Sequence, residues 1–354
     1  MQPDHTEIAE RLRAYLRARS GDQDLAYAQP LVELTGGFDA NIFSFSLHTA
    51  DLSLSGPLVL RLFDLERPPA LARKEAAVQN ALAAMGYPAP HITIQESDSD
   101  VLGGAFLIMP RLGGQHLAAA FSRLSRERHS VSWVIGAMLE IMRECRDIWD
   151  DAQQRLHALD PDDFLARIEA AGLSRQNFSV DAELARFKAK IPSEYAAAFA
   201  PGFAWLEQNK PPVEERAICH GDLQPLNVLA DGAELSGVLD WGATVVGHPA
   251  VDYGAVLAIM ATAPTPGPWM TRPLIRLLMN KLARDHARPY FARHKGGRTA
   301  LRYFAAYNNM SQLASAAAPR GTEGGAFRSA KGVRNLVACF RRYTNVRLNV
   351  QLHF

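Results

Sequence analysis

The sequence predicts an α+β chain, with a small strand-rich first lobe carrying one main helix and a larger helical second lobe carrying a short β region. Two observations support that expectation. Short runs of β-favouring residues with period-two alternation fill residues 31–110. From about Leu112 the apolar residues recur at helical spacing, broken by one β island from Ala217 to Asp240. At 354 residues the chain is long enough for one large two-lobed domain or two modest ones, and it can bury a sizeable core.

In chain order, Ile8, Leu12 and Leu16 recur at i, i+4 and i+8 and predict an amphipathic helix over residues 5–19, with Asp4 and Glu7 spaced as a capping box. LVEL at 31–34 reads as a strand and TGGFDAN at 35–41 as a glycine-bearing turn. Phe43, Phe45 and Leu47 alternate with Ser44 and Ser46, and PLVLRLF at 57–63 is a short β run, so both predict half-buried strands. A helix follows from Leu71 to Met85 with Leu71, Val78 and Leu82 as its inward stripe; Gly86 closes it, and Pro88 and Pro90 lie beyond. HITI at 91–94 and AFLIM at 105–109 complete the sheet. The junction MPRLGG at 109–114 ends this part, giving a first lobe of residues 1–110 and a second of 111–354. In the second, helical patterns cover 131–149, 182–191 and 194–208. The island consists of RAIC, NVLA and LSGVLD, with Asp231-Gly232 as a hairpin turn.

Composition excludes several classes. With 38 Lys+Arg against 37 Asp+Glu the formal charge is +1, and 21% charged with 48% hydrophobic residues is ordinary for a folded soluble chain. There is no global field to draw nucleic acid or an anionic membrane, and neither is expected as a partner. Cys145, Cys219 and Cys339 are odd in number and far apart, which fits neither a disulfide framework nor a zinc spacing and points to a reducing, cytoplasmic setting. The N-terminus lacks the apolar core of a signal peptide. The longest later apolar run, AVLAIMATA at 255–263, is far below the roughly 20 residues of a membrane span.

The segment ICHGDLQPLNVLADGAELSGVLDWGA, residues 218–243, holds His220-x-Asp222, then Asn227, then Asp240-Trp241-Gly242. Transfer of a γ-phosphoryl group needs a carboxylate beside the acceptor hydroxyl and oxygen ligands that hold Mg²⁺ against the phosphates. An Asp and an Asn on one loop, with a second Asp returned by a hairpin, deliver those groups together. Turn formation around Pro225 accounts for Asp222 and Asn227 as loop residues, but not for the whole set.

These residues resemble the catalytic core of the aminoglycoside phosphotransferase family, relatives of the protein kinases whose loop reads H-G-D-x-x-P-x-N and whose metal motif is often I-D-W or I-D-F. Gly247-His248-Pro249-Ala250-Val251-Asp252 matches the family's G-x-P-x-x-D, and LHALDP at 156–161 is similar to its helix end. The resemblance implies a two-lobed protein-kinase-like fold and transfer of the γ-phosphoryl group of ATP, with GTP left open and Mg²⁺ assisting, to a small-molecule hydroxyl. By it Asp222 is the catalytic base or the carboxylate that orients the acceptor, Asn227 and Asp240 are Mg²⁺ ligands, His220 braces the loop, and Asp252 accepts hydrogen bonds from the loop backbone. It further implies that Gly36 and Gly37 cover the phosphates and that Met109 and Arg111, through carbonyl and N–H, read the adenine.

Glu75 can be read without that resemblance. It lies four residues after Leu71 and three before Val78, so it faces inward, and a buried carboxylate needs a cation. Arg61, mid-strand, is the candidate. This has the form of the kinase strand-to-helix ion pair, with Arg where a kinase has Lys; a guanidinium can hold a carboxylate and a phosphate at once.

The family's members phosphorylate aminoglycosides, macrolides, choline-like alcohols, sugars and hydroxy acids, so the resemblance does not name the acceptor. A polycation would need carboxylates. Asp147, Asp150 and Asp151, then Asp160, Asp162 and Asp163, are candidates that also suit solvated helix ends. From Arg320 onward seven Lys and Arg face Glu323 alone, which argues against a polycation there, although Val333, Leu336, Val337 and Phe340 suit a packed helix with a basic outer face. Trp269 in the loop 261–269 suits a pocket wall or a spacer. Two other functions stay open: a catalytically silent kinase-like nucleotide- or ligand-binding protein, and a protein kinase, against which the missing A-P-E segment speaks. The oligomeric state is not readable.

Overall fold

The computed structural model describes residues 4–34, 40–65, 67–119, 131–213, 215–265, 269–270, 272–294, 297–319 and 327–352. The chain divides into two compact units that change over between Leu112 and Gly113.

The first unit contains α1 (His5–Ser20), β1 (Ala26–Glu33), β2 (Ala40–His48), β3 (Pro57–Phe63), α2 (Pro69–Ala84), β4 (Ile94–Glu96), α3 (Ser99–Leu102) and β5 (Phe106–Pro110). The strands form one antiparallel sheet in the order β1-β2-β3-β5-β4. Period two along β3 sorts its side chains. Leu58, Leu60 and Leu62 share a core with Ile8, Leu12 and Leu16 of α1, while Val59 and Phe63 pack with Ala72 and Ala76 of α2. Arg61 has the parity of Val59 and Phe63, so it falls on the α2 face of the sheet.

Several local expectations are corrected. Asp4 occupies the N-cap of α1 but its side chain makes no capping bond, so the expected box is not formed; at this exposed end water can serve the first-turn N–H groups. β1 starts at Ala26, well before LVEL, because the pairing with β2 shifts register around Gln29, where Pro30 of this edge strand escapes the ladder. HITI yields a strand only from Ile94. Ile92 instead donates its N–H to Asn80 Oδ1 of α2 at 2.7 Å and accepts from Asn80 Nδ2 on its carbonyl at 3.3 Å. Leu71 is half-buried, and Ala72 and Ala76 take its place in the inward stripe with Val78 and Leu82.

The second unit contains β6 (Gln115–His116), α4 (Val131–His157), α5 (Pro161–Ala170), α6 (Val180–Ala189), α7 (Ala196–Gln208), β7 (Ala217–Cys219), β8 (Val228–Asp231), β9 (Glu234–Val238), β10 (Val245–Gly247), α8 (Ala250–Thr262), α9 (Arg272–His286), α10 (Arg288–Arg293), α11 (Arg298–Ala317) and α12 (Ala330–Thr344). The single β island expected from the sequence is two small sheets, β6-β8-β9 and β7-β10. β7 and β8, separated by the loop 220–227, fall in different sheets, and β7 pairs with β10. The core gathers Phe199, Tyr253, Tyr290, Phe304 and Phe340. α8 and α11 pack closely at Gly254, where a Cβ would lie 2.7 Å from Phe304 atoms. Val333, Leu336 and Phe340 of α12 are buried and Val337 is half-buried, while Arg334, Arg341 and Arg342 face solvent. Among the described residues no helix is long and apolar enough to cross a membrane.

Candidate active site

The loop 220–227 is held by its backbone before any of its side chains can act. Asp252, in the first turn of α8 and fully buried, accepts from the His220 N–H at 3.1 Å and the Gly221 N–H at 2.6 Å, and faces His157 Nε2 at 2.8 Å. Burial pushes its carboxyl up. The hydrogen bond and charge of His157 and the Gly221 N–H outweigh that and hold it below the usual carboxylate range. Gly221 sits at φ +81°, and a Cβ there would be 2.5 Å from the Ala243 carbonyl oxygen, so no side chain fits.

His220 is a brace. Its Nδ1 accepts from the Asp222 N–H at 3.2 Å, which assigns the proton to Nε2, and Nε2–H donates to the Leu239 carbonyl at 2.9 Å. The ring lies 4.5 Å from the buried Trp241. Burial lowers its pKa against the pull of Asp252, so the ring is neutral.

Asp222 and Asn227 come together. Asn227 Nδ2 donates to the Asp222 carbonyl at 2.8 Å and to its Oδ2 at 3.3 Å. Gln224 donates its backbone N–H to the same carbonyl at 2.9 Å and its side-chain amide to Oδ2 at 3.1 Å. Asp240 follows Leu239, whose N–H is bonded to the Asn227 carbonyl at 2.8 Å, so the end of β9 is clipped to the loop. Asp240 itself takes φ +66° and ψ +69°, a conformation that costs a non-glycine residue free energy. The surrounding fold therefore pins the backbone at Asp240.

His157, Cys219 and Asp252 present ligand atoms within 4.8 Å of one another. Asp252 is already engaged by three donors, and burial raises the Cys219 thiol well above its usual value, which keeps it protonated. This cluster anchors the loop and does not suit a metal ion.

In the first unit, Arg61 Nη1 lies 3.2 Å from Glu75 Oε1 with both side chains largely buried, and its guanidinium stacks 5.2 Å from the Phe63 ring centre. Arg61 pairs with Ile42 and Leu107 across the sheet, which fixes it in the middle. Met109 is buried opposite Val59. The Arg111 N–H, expected to meet a ligand, donates to the Pro57 carbonyl at 2.8 Å, extending the β3–β5 ladder. Gly36 and Gly37 lie outside the described residues.

A model of the phosphotransferase enzyme family matches residues 33–314, most of the chain, including every residue named above in this section. The chain belongs to that family.

This phosphotransferase uses a hydroxyl group as acceptor, and its fold is that of the kinase-like aminoglycoside phosphotransferases. It is similar to a thermostable mutant of aminoglycoside phosphotransferase APH(4)-Ia, solved with AMP-PNP and hygromycin B, at 16% identity over 93% of this chain and 98% of that one, TM-score 0.57. A putative aminoglycoside phosphotransferase from Ralstonia eutropha JMP134 is similar at 18% identity over 95% and 98%, TM-score 0.55. An aminoglycoside-3'-phosphotransferase of type VIII gives 20% identity over 87% and 100%, TM-score 0.53. No curated protein matches at a significant level.

Sequence reasoning about the phosphotransferase missed Gln224, a partner of Asp222 two residues away, and the part played by α4. Its signal was present: Cys145, Trp149, Gln153 and His157 repeat every fourth residue and form one helix face. The acidic candidates for a polycation are engaged locally. Asp147 pairs with Arg146, Asp151 with Arg155, Asp162 with Arg216 and Asp163 with Arg167, while Asp160 caps α5 and Asp150 meets His286.

Proposed function

We propose that this phosphotransferase moves the γ-phosphoryl group of ATP to a hydroxyl of a small molecule, with Asp222 as the catalytic base. One observation carries the reading: the Asp222 Oδ2 is held by the side-chain amides of Gln224 and Asn227, on a loop whose backbone Asp252 anchors. Such a carboxylate is oriented but keeps acceptor capacity for an incoming hydroxyl. As the acceptor oxygen bonds to the γ-phosphorus and the bond to the leaving ADP oxygen breaks, the hydroxyl proton passes to Asp222. The neutral His220 then has a structural task, keeping the Asp222 N–H and the Leu239 carbonyl together.

The donor assignment is supported by AMP-PNP and ADP in complexes of similar fold. Arg61, aligned by Glu75, suits the donor phosphates, and we assign Gly36, Gly37, Met109 and Arg111 to the same nucleotide; Arg111 would contribute its side chain unless its N–H leaves Pro57. The residues fit Mg²⁺. Asn227 turns Nδ2 toward Asp222, which leaves Oδ1 for a hard cation, and Asp240 supplies a carboxylate held at positive φ. Bound there, the ion would neutralise charge on the phosphates. The engaged acidic side chains support an acceptor that is not a polycation.

The test is an ATP-consumption screen over sugars, amino alcohols, hydroxy acids, macrolides and aminoglycosides, with GTP run in parallel. Asp222→Ala should lower turnover roughly 10²- to 10⁴-fold. Full turnover in that variant would refute the assignment, and phosphorylation of an aminoglycoside would refute the acceptor class.

A further inference from the structure

We propose that Trp149, clamped by His286, is a positioning residue for Asp222, acting through the Leu223–Gln224 peptide. This rests on the reading of Asp222 as the base. Trp149 is fully buried in α4, and its indole Nε1–H donates to the Leu223 carbonyl at 3.0 Å. That carbonyl and the Gln224 N–H belong to one planar peptide unit. The Gln224 N–H donates to the Asp222 carbonyl at 2.9 Å, which also receives Asn227 Nδ2. The indole therefore grips one edge of a rigid plate whose other edge holds Asp222. If the plate tilts, the Gln224 N–H leaves the Asp222 carbonyl, and the Gln224 amide on Oδ2 moves with it.

The clamp comes from α9. The His286 ring stacks on the Trp149 indole, 4.2 Å between centres and 14° between planes. His286 is buried and is itself locked at both ring nitrogens, Nδ1 by Asp150 and Nε2 by the Gln153 side chain, residues one and four positions beyond Trp149. The same face of α4 carries Cys145, which contacts the Leu117 carbonyl, and His157, which holds Asp252. The neighbouring Ala118 N–H donates to the Pro225 carbonyl at 3.0 Å. Asp252 thus fixes the amide side of the catalytic loop, and α4 with its neighbours fixes the carbonyl side. A tryptophan present only to fill the core would satisfy its N–H at any nearby carbonyl, and its loss would not act selectively on Asp222.

The experiment uses the full chain with Trp149→Phe, which keeps a ring but removes the N–H, His286→Ala as a milder release of the clamp, and Asp222→Ala as reference. Hydrogen exchange over residues 221–227 needs no acceptor. We expect exchange there to quicken about tenfold in Trp149→Phe, with α8 and α11 unchanged. With an acceptor from the screen, kcat should fall about 5- to 10-fold and both KM values stay within twofold, with a smaller fall in His286→Ala. Unchanged loop exchange, exchange quickened equally throughout the second unit, or a KM rise matching the loss of kcat would overturn the proposal. If Trp149→Phe fails to fold, His286→Ala decides by the same criteria. Should Asp222→Ala keep wild-type turnover, the base assignment fails; should it be inactive while Trp149→Phe is normal, only the positioning role fails.

Discussion

Glu75 in the first unit and Asp252 in the second are both buried carboxylates, and they are satisfied in opposite ways. Glu75 faces the guanidinium of Arg61, a long side chain whose own exposure is 15%. Asp252, at 0% exposure, takes two backbone N–H groups and a histidine. A carboxylate matched by a side chain aligns that side chain, whereas one matched by main-chain amides fixes the path of the chain itself. The same chemical group thus aligns a side chain in one unit and sets the path of the chain in the other.

The largest effect should come from breaking the second arrangement. Asp252→Asn removes the charge that His157 and the two amides answer, and unfolding in denaturant should show a loss of about 3 kcal/mol with turnover falling in parallel. A variant as stable as wild type would show that the loop holds its path without Asp252. Gly221→Ala attacks the same loop through sterics. With a Cβ 2.5 Å from the Ala243 oxygen and φ at +81°, it should cost about 2 kcal/mol and most of the turnover.

Acid should reveal the same contrast. The Asp252 carboxyl is held below its unfolded value of about 3.9, so its contribution to stability is complete above that pH and fades as pH falls through the lower folded value. The stability of Asp252→Asn should accordingly change less than wild type across that acid range; parallel curves would remove Asp252 as the cause. Glu75→Gln should have the smallest effect on the fold, about 1 kcal/mol or less by thermal unfolding, because the Arg61 head has some access to water. Its signature should be a KM for ATP raised several-fold with kcat less affected. Unchanged ATP kinetics would break the division of labour between the two carboxylates.

Legibility followed the range of the interactions. The Arg61–Glu75 pair was readable because both parities, two along β3 and roughly 3.6 along α2, are local properties. The loop 220–227 was readable because Asp222, Asn227 and their turn lie within six residues. Other features were not. β1 began well before LVEL, with a register shift around Gln29, and HITI lost its first residues to the Asn80 side chain, an interaction with no sequence period. β7 found β10 across the loop and the hairpin. The Arg111 N–H, expected to meet a ligand, was already taken by Pro57.

By itself, then, the sequence determined the α+β class, the strand-to-helix pair, and the loop bearing Asp222 and Asn227 with Asp240 beyond it, since each depends on residue type and short spacing. Only the tertiary structure decided what holds that loop in place. Asp252, His157, Trp149 and His286 are brought to it from α8, α4 and α9, with Trp149 lying 74 residues along the chain from the Leu223 it holds. Nothing in local propensity ranks one such distant partner over another. The choice is made when the core of the second unit closes and each buried polar group must find a partner.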